Sequence, residues 1–311
     1  MTDIAVSTGG FTPELWSEKI NINLDDYGAY NDIVNRKYEG EIKQKGDKVY
    51  YYTLGSFETE KYNPDATGFT GLVYKDPKGV RDALEITEAD TIQFKVGDIK
   101  KVQANIELVN NFTKRMAVAF SNSKDKFIHD KAVAGAGTKL HTDSALSLTK
   151  DNVWAELCVL QRVLTRKNAI TKNGLDYQGK RPALIITPEF QQIMNQSPNY
   201  FANAFGNNVL RTGQIGHIGI FDVFLDTNIK TDKTGTGTGT AYSQTILAMT
   251  SDAFTFAEQV TETEKLRDKS EYGDFVRSLR VYGGKVVNPD CIVSTKYTFD
   301  GLGIVSGEVA A

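Results

Sequence analysis

The sequence predicts an α+β chain, and three observations carry that prediction. Apolar residues recur at helical spacing along one very long stretch, residues 97–131. Further amphipathic helical stretches are interleaved with short strands, without the regular strand–helix alternation of a parallel α/β fold. Residues 39–96 read as one long hairpin with an apolar tip.

The totals bound the function. At 311 residues the chain can bury a large core, in about one to three domains. Hydrophobic residues at 40% and charged residues at 24% are ordinary globular values. A net charge of -3 and a pI near 5.8 argue against a tight grip on a nucleic-acid backbone, though not against lying beside one. Cys158 and Cys291 are too few for a disulfide framework and fit a reducing compartment. The opening residues lack a basic region followed by an apolar run, so no signal peptide is expected. No apolar run approaches the ~18 residues of a membrane span, so no membrane partner is expected.

Residues 1–38 carry scattered apolar anchors at Phe11, Leu15, Trp16, Ile20, Ile22 and Leu24. They are too few to form a core and too aromatic for a disordered tail, so an arm docked on another surface is expected. Strands are expected at 48–62 and 83–96, the second alternating Leu84, Ile86, Ile92, Phe94 and Val96 against Glu85, Thr87, Gln93 and Lys95. Between them Phe69, Leu72, Val73 and Tyr74 stand among prolines and glycines. A lone two-stranded hairpin is marginal in water and leaves edges open. It must fold back on its own body or lie across a neighbouring subunit.

In the long helix the stripe runs through Ile99, Val102, Ile106, Val109, Met116, Phe120 and Phe127, interrupted at Thr113 and Ser123. Lys100, Glu107, Lys114 and Asp125 fall on the face expected to be solvated. Asp98 suits the start, and Gly135 and Gly137 the exit. Some 35 residues reach about 50 Å, as far as a globule of this size is wide. A second helix is expected over 151–166, with Cys158 as a small buried thiol. A buried strand follows at 183–186. Thr187-Pro188-Glu189 then opens a helix with a cap, a first-turn proline and an acid at the positive end of the helix dipole. Residues 209–228 suggest short strands and turns, and the Thr/Gly run at 231–240 a flexible loop. Strands are expected at 255–264, 275–287 and 291–299.

The chemistry of an enzyme is missing. His129, His141 and His217 have no partner at metal-ligand spacing. Asp25, Asp26, Asn31 and Asp32 lack the order of a calcium loop and read as a polar turn. The glycines of 213–219 and 235–239, and Gly283-Gly284-Lys285, match no dinucleotide or phosphate loop. No nucleophile, base and oxyanion site come together, so no catalytic residue, cofactor or metal is expected.

Several segments, taken in order, resemble the major capsid proteins of tailed bacteriophages, with the Hong Kong 97-type fold. They are Phe11-Thr12-Pro13-Glu14-Leu15-Trp16; Val34-Asn35-Arg36 with Tyr38-Glu39-Gly40-Glu41-Ile42; and Gly46-Asp47 with Val49. Further along are Ile185-Ile186-Thr187-Pro188-Glu189-Phe190, Val209-Leu210-Arg211-Thr212-Gly213-Gln214-Ile215-Gly216 and Phe221-Asp222-Val223. Phe256-Ala257-Glu258-Gln259, Glu264 with Leu266-Arg267, and Val281-Tyr282-Gly283 through Asn288-Pro289 complete the series. No one segment is specific; their order spans nearly the whole chain.

The resemblance implies an N-arm at 1–38 and an extended loop at 39–96. It implies a peripheral domain with the spine helix at 97–149 and 250–287, and an axial domain at 150–249 and 288–311. It implies a non-enzymatic virion protein, made in the bacterial cytoplasm, that assembles with itself through hexamers and pentamers into an icosahedral head around double-stranded DNA. The DNA would be contacted non-specifically, consistent with the acidic balance. Only about ten residues precede Phe11, where some members of that family begin with a long helical scaffolding segment, which implies a separate scaffolding protein or a processed chain whose first part is not shown; a portal protein and a decoration protein are further expected partners. Inter-subunit contacts are expected from Phe11, Leu15 and Trp16 in the arm and from Tyr62, Phe69, Leu72 and Tyr74 in the loop; Arg211 is placed towards the axial tip by analogy. The alternatives are an encapsulin-type compartment shell and a soluble hydrolase using Cys158 with a distant histidine.

Overall fold

The structure is a computed structural model and describes residues 28–37, 47–54, 79–97, 106–171, 173–197, 216–234, 241–267 and 273–299. Strand β1 (Lys48–Leu54) pairs antiparallel with β2 (Gly79–Glu85), from Lys48↔Glu85 to Leu54↔Gly79, as the two arms of a hairpin. The expected strand at 83–96 is in fact two. After Glu85 the chain leaves the hairpin, the Ile86 N–H donates to Asp47 O, and β3 (Glu88–Gly97) joins a different sheet. Alternation runs unbroken through both because it records which face is covered, not which strand is the partner.

Helix α1 (Ile106–Gly135) has 30 residues, hence a length of about 45 Å. Its buried stripe is Met116, Ala117, Phe120, Ser121, Lys124, Asp125, Ile128, His129 and Ala132, the three-and-four spacing of one helical face. Lys114 is exposed as expected. Asp125 is not: it lies inside the stripe, while Phe127 is only half-buried. Four polar side chains therefore occupy positions that helical geometry assigns to the core.

The larger sheet is built from β4 (Thr138–Leu140), β5 (Leu146–Ser147), β6 (Ala183–Ile186), β7 (His217–Ile218), β8 (Phe221–Leu225), β9 (Thr231–Thr234), β10 (Ala241–Met249) and β13 (Ile292–Thr298). Its order is β4-β13-β10-β6-β8-β7, with β5 on β13 and β9 on β10. The central β6 is buried at every residue, as a strand covered on both faces must be. Helices α2 (Val153–Arg166) and α3 (Pro188–Gln196) pack on this sheet through Val153, Leu157, Leu160 and Leu164 and through Phe190, Ile193 and Met194. Thr187 caps α3 as expected, its Oγ1 accepting from Phe190 N at 3.4 Å. Two expectations fail here. Cys158 lies on the exposed side of α2, because one step of about 100° from Leu157 carries it off the buried stripe. Residues 231–234, expected as loop, are strand β9 in register with β10 from Thr231↔Gln244 to Thr234↔Ala241.

The second sheet is β11-β12-β3, with β11 (Phe254–Arg267) and β12 (Gly273–Val286) forming a long antiparallel pair. The β11–β12 register slips once, between Val260 and Glu262. A small cluster of Val49, Leu84, Ile86, Ala257 and Val281 fastens the hairpin base to this sheet. Gly283 permits it: a Cβ there would sit 2.3 Å from Glu85 O, so only a residue without a side chain lets β12 lie against β2. Gly284 likewise leaves room for the Phe254 ring.

Candidate functional site

The described chemistry concentrates where α1 meets the 28–37 turn and the three-stranded sheet. Lys124 and Arg280, both fully buried, converge there on Glu258. Alternation on β12 turns Val276, Ser278, Arg280 and Tyr282 inward. The four-residue repeat on α1 places Lys124 between Phe120 and Ile128. Lys124 Nζ donates to Glu258 Oε1 at 2.9 Å and to Asn31 Oδ1 at 2.5 Å. Arg280 donates to Phe120 O at 2.7 Å, to Asp90 Oδ2 at 2.8 Å and to Glu258 Oε2 at 3.4 Å. Its guanidinium is sandwiched by the Phe120 and Tyr282 rings, 4.9 and 4.5 Å from their centroids. Ser123 donates to the same Asp90 oxygen at 2.6 Å, and Arg36 approaches Glu258 at 3.5 Å. This network ties the turn, α1, β3, β11 and β12 at one point. Buried charges persist only when paired and hydrogen-bonded in this way.

One residue along α1 lies a second cluster of another kind. Asp125 Oδ2 accepts from Ala29 N at 3.2 Å, and the Tyr30 backbone N–H also favours the charged carboxyl, but Oδ1 is buried without a partner among the described residues. Asp226, just past β8, accepts from Asn228 N at 2.7 Å, and its own Oδ2 is buried with no hydrogen bond of good geometry among the described residues. Tyr30, with no solvent exposure, turns its hydroxyl towards both acids without a hydrogen bond of good geometry. Burial, and then the neighbouring Asp226 charge, push the Asp125 carboxyl up to about 7. Burial raises Asp226 and Tyr30 as well. His129 donates to Thr245 O at 3.0 Å, and burial lowers its pKa, favouring the neutral ring.

Elsewhere the groups that catalysis would need stand apart. His141 lies 3.4 Å from Glu156, which also accepts from the Tyr297 hydroxyl at 3.1 Å. Cys291 is buried, and burial raises its thiol pKa. Exposed Cys158 sits on α2, on a different helix from His129. Among the described residues no cluster of three or more acids, histidines or cysteines could hold a metal ion, and no helix is long and apolar enough to cross a membrane. A cleft of about 720 Å³ opens beside Asp226, His129, Glu189 and Gln244, and one of about 660 Å³ beside Asn31, Arg36, Lys180 and Arg181. Neither brings a nucleophile against a base.

The expected contact residues Phe11, Leu15, Trp16, Tyr62, Phe69, Leu72, Tyr74 and Arg211 all lie outside the described residues, as do Asp25 and Asp26. The buried networks were not anticipated. Their signal was nonetheless present, in charged residues at core positions of α1 and β12.

Solved structures match the chain over most of its length. A structure from Mycobacterium phage Che8 has 24% identity and a TM-score of 0.65, covering 86% of this chain and 90% of that one. The capsid structure of cyanophage P-SCSP1u has 12% identity and a TM-score of 0.62, covering 83% and 85%. The virus-like particle from Pyrococcus furiosus has 12% identity and a TM-score of 0.54, covering 91% and 98%. No protein-family model and no curated protein sequence matches. The chain thus has the α+β Hong Kong 97-like fold.

Proposed function

We propose that this chain is a structural shell subunit, the major capsid protein of a tailed phage. It would assemble through hexamers and pentamers into an icosahedral head enclosing double-stranded DNA. The observation that carries this reading is coverage: the likeness to a capsid structure extends over 83% of this chain and 85% of the other, leaving little of either chain for another activity. The described side chains support it, since their polar chemistry is spent on joining elements. On this reading residues 1–38 are the arm, 39–96 the extended loop, 97–149 with 250–287 the peripheral domain, and 150–249 with 288–311 the axial domain. Phe11, Leu15 and Trp16 anchor the arm, while Tyr62, Phe69, Leu72 and Tyr74 seat the loop on a neighbour and Arg211 faces the axial contacts. Each such contact should bury well over about 1,000 Å². Scaffolding, portal and decoration proteins are its expected partners, and the virion its location.

Electron microscopy and sedimentation of the purified protein test this directly, with capsomers or megadalton shells expected. A monodisperse monomer that never polymerises would overturn it. Deleting residues 64–77 should leave a folded chain that forms no closed shells. The likeness to a virus-like particle favours one second reading, an encapsulin-type compartment. Particles purified from their source then carry protein cargo rather than DNA.

A further inference from the structure

The loop between α2 and β6 holds the one Asn-Gly step in the sequence, Asn173-Gly174. Asn173 is exposed, in a turn. Gly174 has a φ of +76°, the left-handed conformation that favours glycine, and a Cβ there would sit 3.0 Å from Ile220 Cγ2. The fold therefore requires a residue without a side chain directly after an asparagine, and that pair is chemically labile. With no Cβ to shield it, the Gly174 backbone nitrogen can attack Asn173 Cγ. The N–Cγ bond forms, the Cγ–Nδ2 bond breaks, and Nδ2 leaves as ammonia with the proton that the Gly174 nitrogen gives up. Water then opens the five-membered imide to aspartate or isoaspartate, with no oxidant or other reagent.

The turn holds the attacking nitrogen back. Gly174 N donates to Thr171 O at 2.9 Å, while Leu175 O accepts from Thr171 N at 2.7 Å and from Thr171 Oγ1 at 2.9 Å. One threonine thus ties down the chain on the far side of the labile step. Attack needs the Gly174 nitrogen without its proton and aligned on Cγ. While the three bonds stand, that proton is engaged and the backbone around it is fixed.

We infer that Asn173 is a self-modification site guarded by Thr171: it converts to aspartate or isoaspartate when the turn between Thr171 and Leu175 opens, and is spared while that turn is closed. Isoaspartate carries the main chain through the former side chain, one bond longer, so the turn cannot reclose in the same register. The change lies close to Asp176, whose carboxylate accepts from Gln178 N, Lys180 N and Ser251 Oγ and so organises the rest of the loop. This holds whether or not the chain builds shells, since it concerns one turn of one chain.

Peptide mapping by mass spectrometry on the full chain, sampled over time at one mildly alkaline pH, tests it, because conversion replaces an NH2 by an OH at position 173. The folded chain should convert at least about tenfold more slowly than the same chain unfolded in guanidinium chloride, since opening the turn is a prior unfavourable step. Thr171→Val removes the Oγ1 donor and leaves both backbone bonds. It should speed conversion of the folded chain by about fivefold, the effect of one neutral hydrogen bond on opening the turn. In the unfolded chain, where no turn is left to open, Thr171→Val and wild type should convert at the same rate. Equal rates for folded and unfolded wild type, no conversion of the unfolded chain, or a folded Thr171→Val no faster than wild type overturns the inference. Should Thr171→Val not fold, the comparison of folded with unfolded wild type decides it.

Discussion

Lys124 and Asp125 are adjacent in sequence and buried on the same helix, yet they open onto two clusters built on opposite principles. Around Lys124, the cations Lys124, Arg280 and Arg36 face the carboxylates Glu258 and Asp90, paired at 2.5 to 3.5 Å, with Arg280 Nε the one atom of the three cations that is buried without a partner among the described residues. Around Asp125, two acids and a phenol face one another with three polar atoms that make no hydrogen bond of good geometry among the described residues. Matched charges hold their geometry at any pH near neutrality. Unmatched acids instead raise their own affinity for a proton. One cluster is a fixed joint, and the other is a group of buried acids whose contribution to stability depends on pH.

The largest effect should come from breaking the joint. Arg280→Met removes a fully buried guanidinium, leaving Asp90 with Ser123 and Glu258 with Lys124 and Arg36. It should cost about 3–5 kcal/mol, the usual penalty for stripping one partner from a buried pair. Urea denaturation of unassembled protein measures this, and a loss under about 1 kcal/mol would mean that the network relaxes around the gap. Lys124→Met should cost less, about 2 kcal/mol, because Glu258 keeps Arg280 and the further loss is one hydrogen bond to Asn31.

The acid cluster should behave in the opposite sense. Asp125 moves from an ordinary 3.8 to about 7 on burial, so between those values the folded chain keeps a proton that the unfolded chain releases. Its contribution is fully present below about pH 4 and is lost as pH rises to 7, at about 1.4 kcal/mol per unit. His129 works the other way. Its pKa is lowered from 6.5, so its contribution is lost as pH falls below that value. Asp125→Asn should therefore leave stability at pH 4 near wild type and raise it at pH 8. Thermal melts at the two values check the sign, and a variant less stable than wild type at pH 8 would show that the carboxylate is held favourably.

Much of the fold was legible because it rests on periodicity. The helix at 153–166, the strand at 183–186 and the Thr187 cap could be read directly, since apolar spacing and capping chemistry are local. What was illegible depends on partners distant in sequence. The 83–96 stretch divides into two strands because β2 pairs with β1 while β3 pairs with β12, and Gly283 is required only because Glu85 lies across it. Asp125 was assigned to solvent on polarity alone. By position, eight residues after Ala117 and four before His129, it belongs to the buried stripe. In α1, position is the better guide, because tertiary neighbours can satisfy a charge but cannot move it to another face of the helix.

The smallest effect belongs to a pair resembling the joint in geometry but not in setting. Lys167 donates to Asp290 Oδ1 at 2.8 Å, close to the 2.9 Å of Lys124 to Glu258, but its side chains remain 44% and 58% exposed. Water screens the attraction, and two long side chains must be ordered to make it. Lys167→Ala should therefore change stability by less than about 1 kcal/mol, against about 2 kcal/mol for Lys124→Met, although the two ion pairs are nearly the same length. Raising salt to about 1 M should erase what remains at Lys167 and leave the Lys124 difference standing, because the Debye length then shrinks to about 3 Å only where water reaches. Equal costs at the two sites would mean that distance, not burial, sets the strength of these pairs, and the distinction between joint and surface would lose its basis.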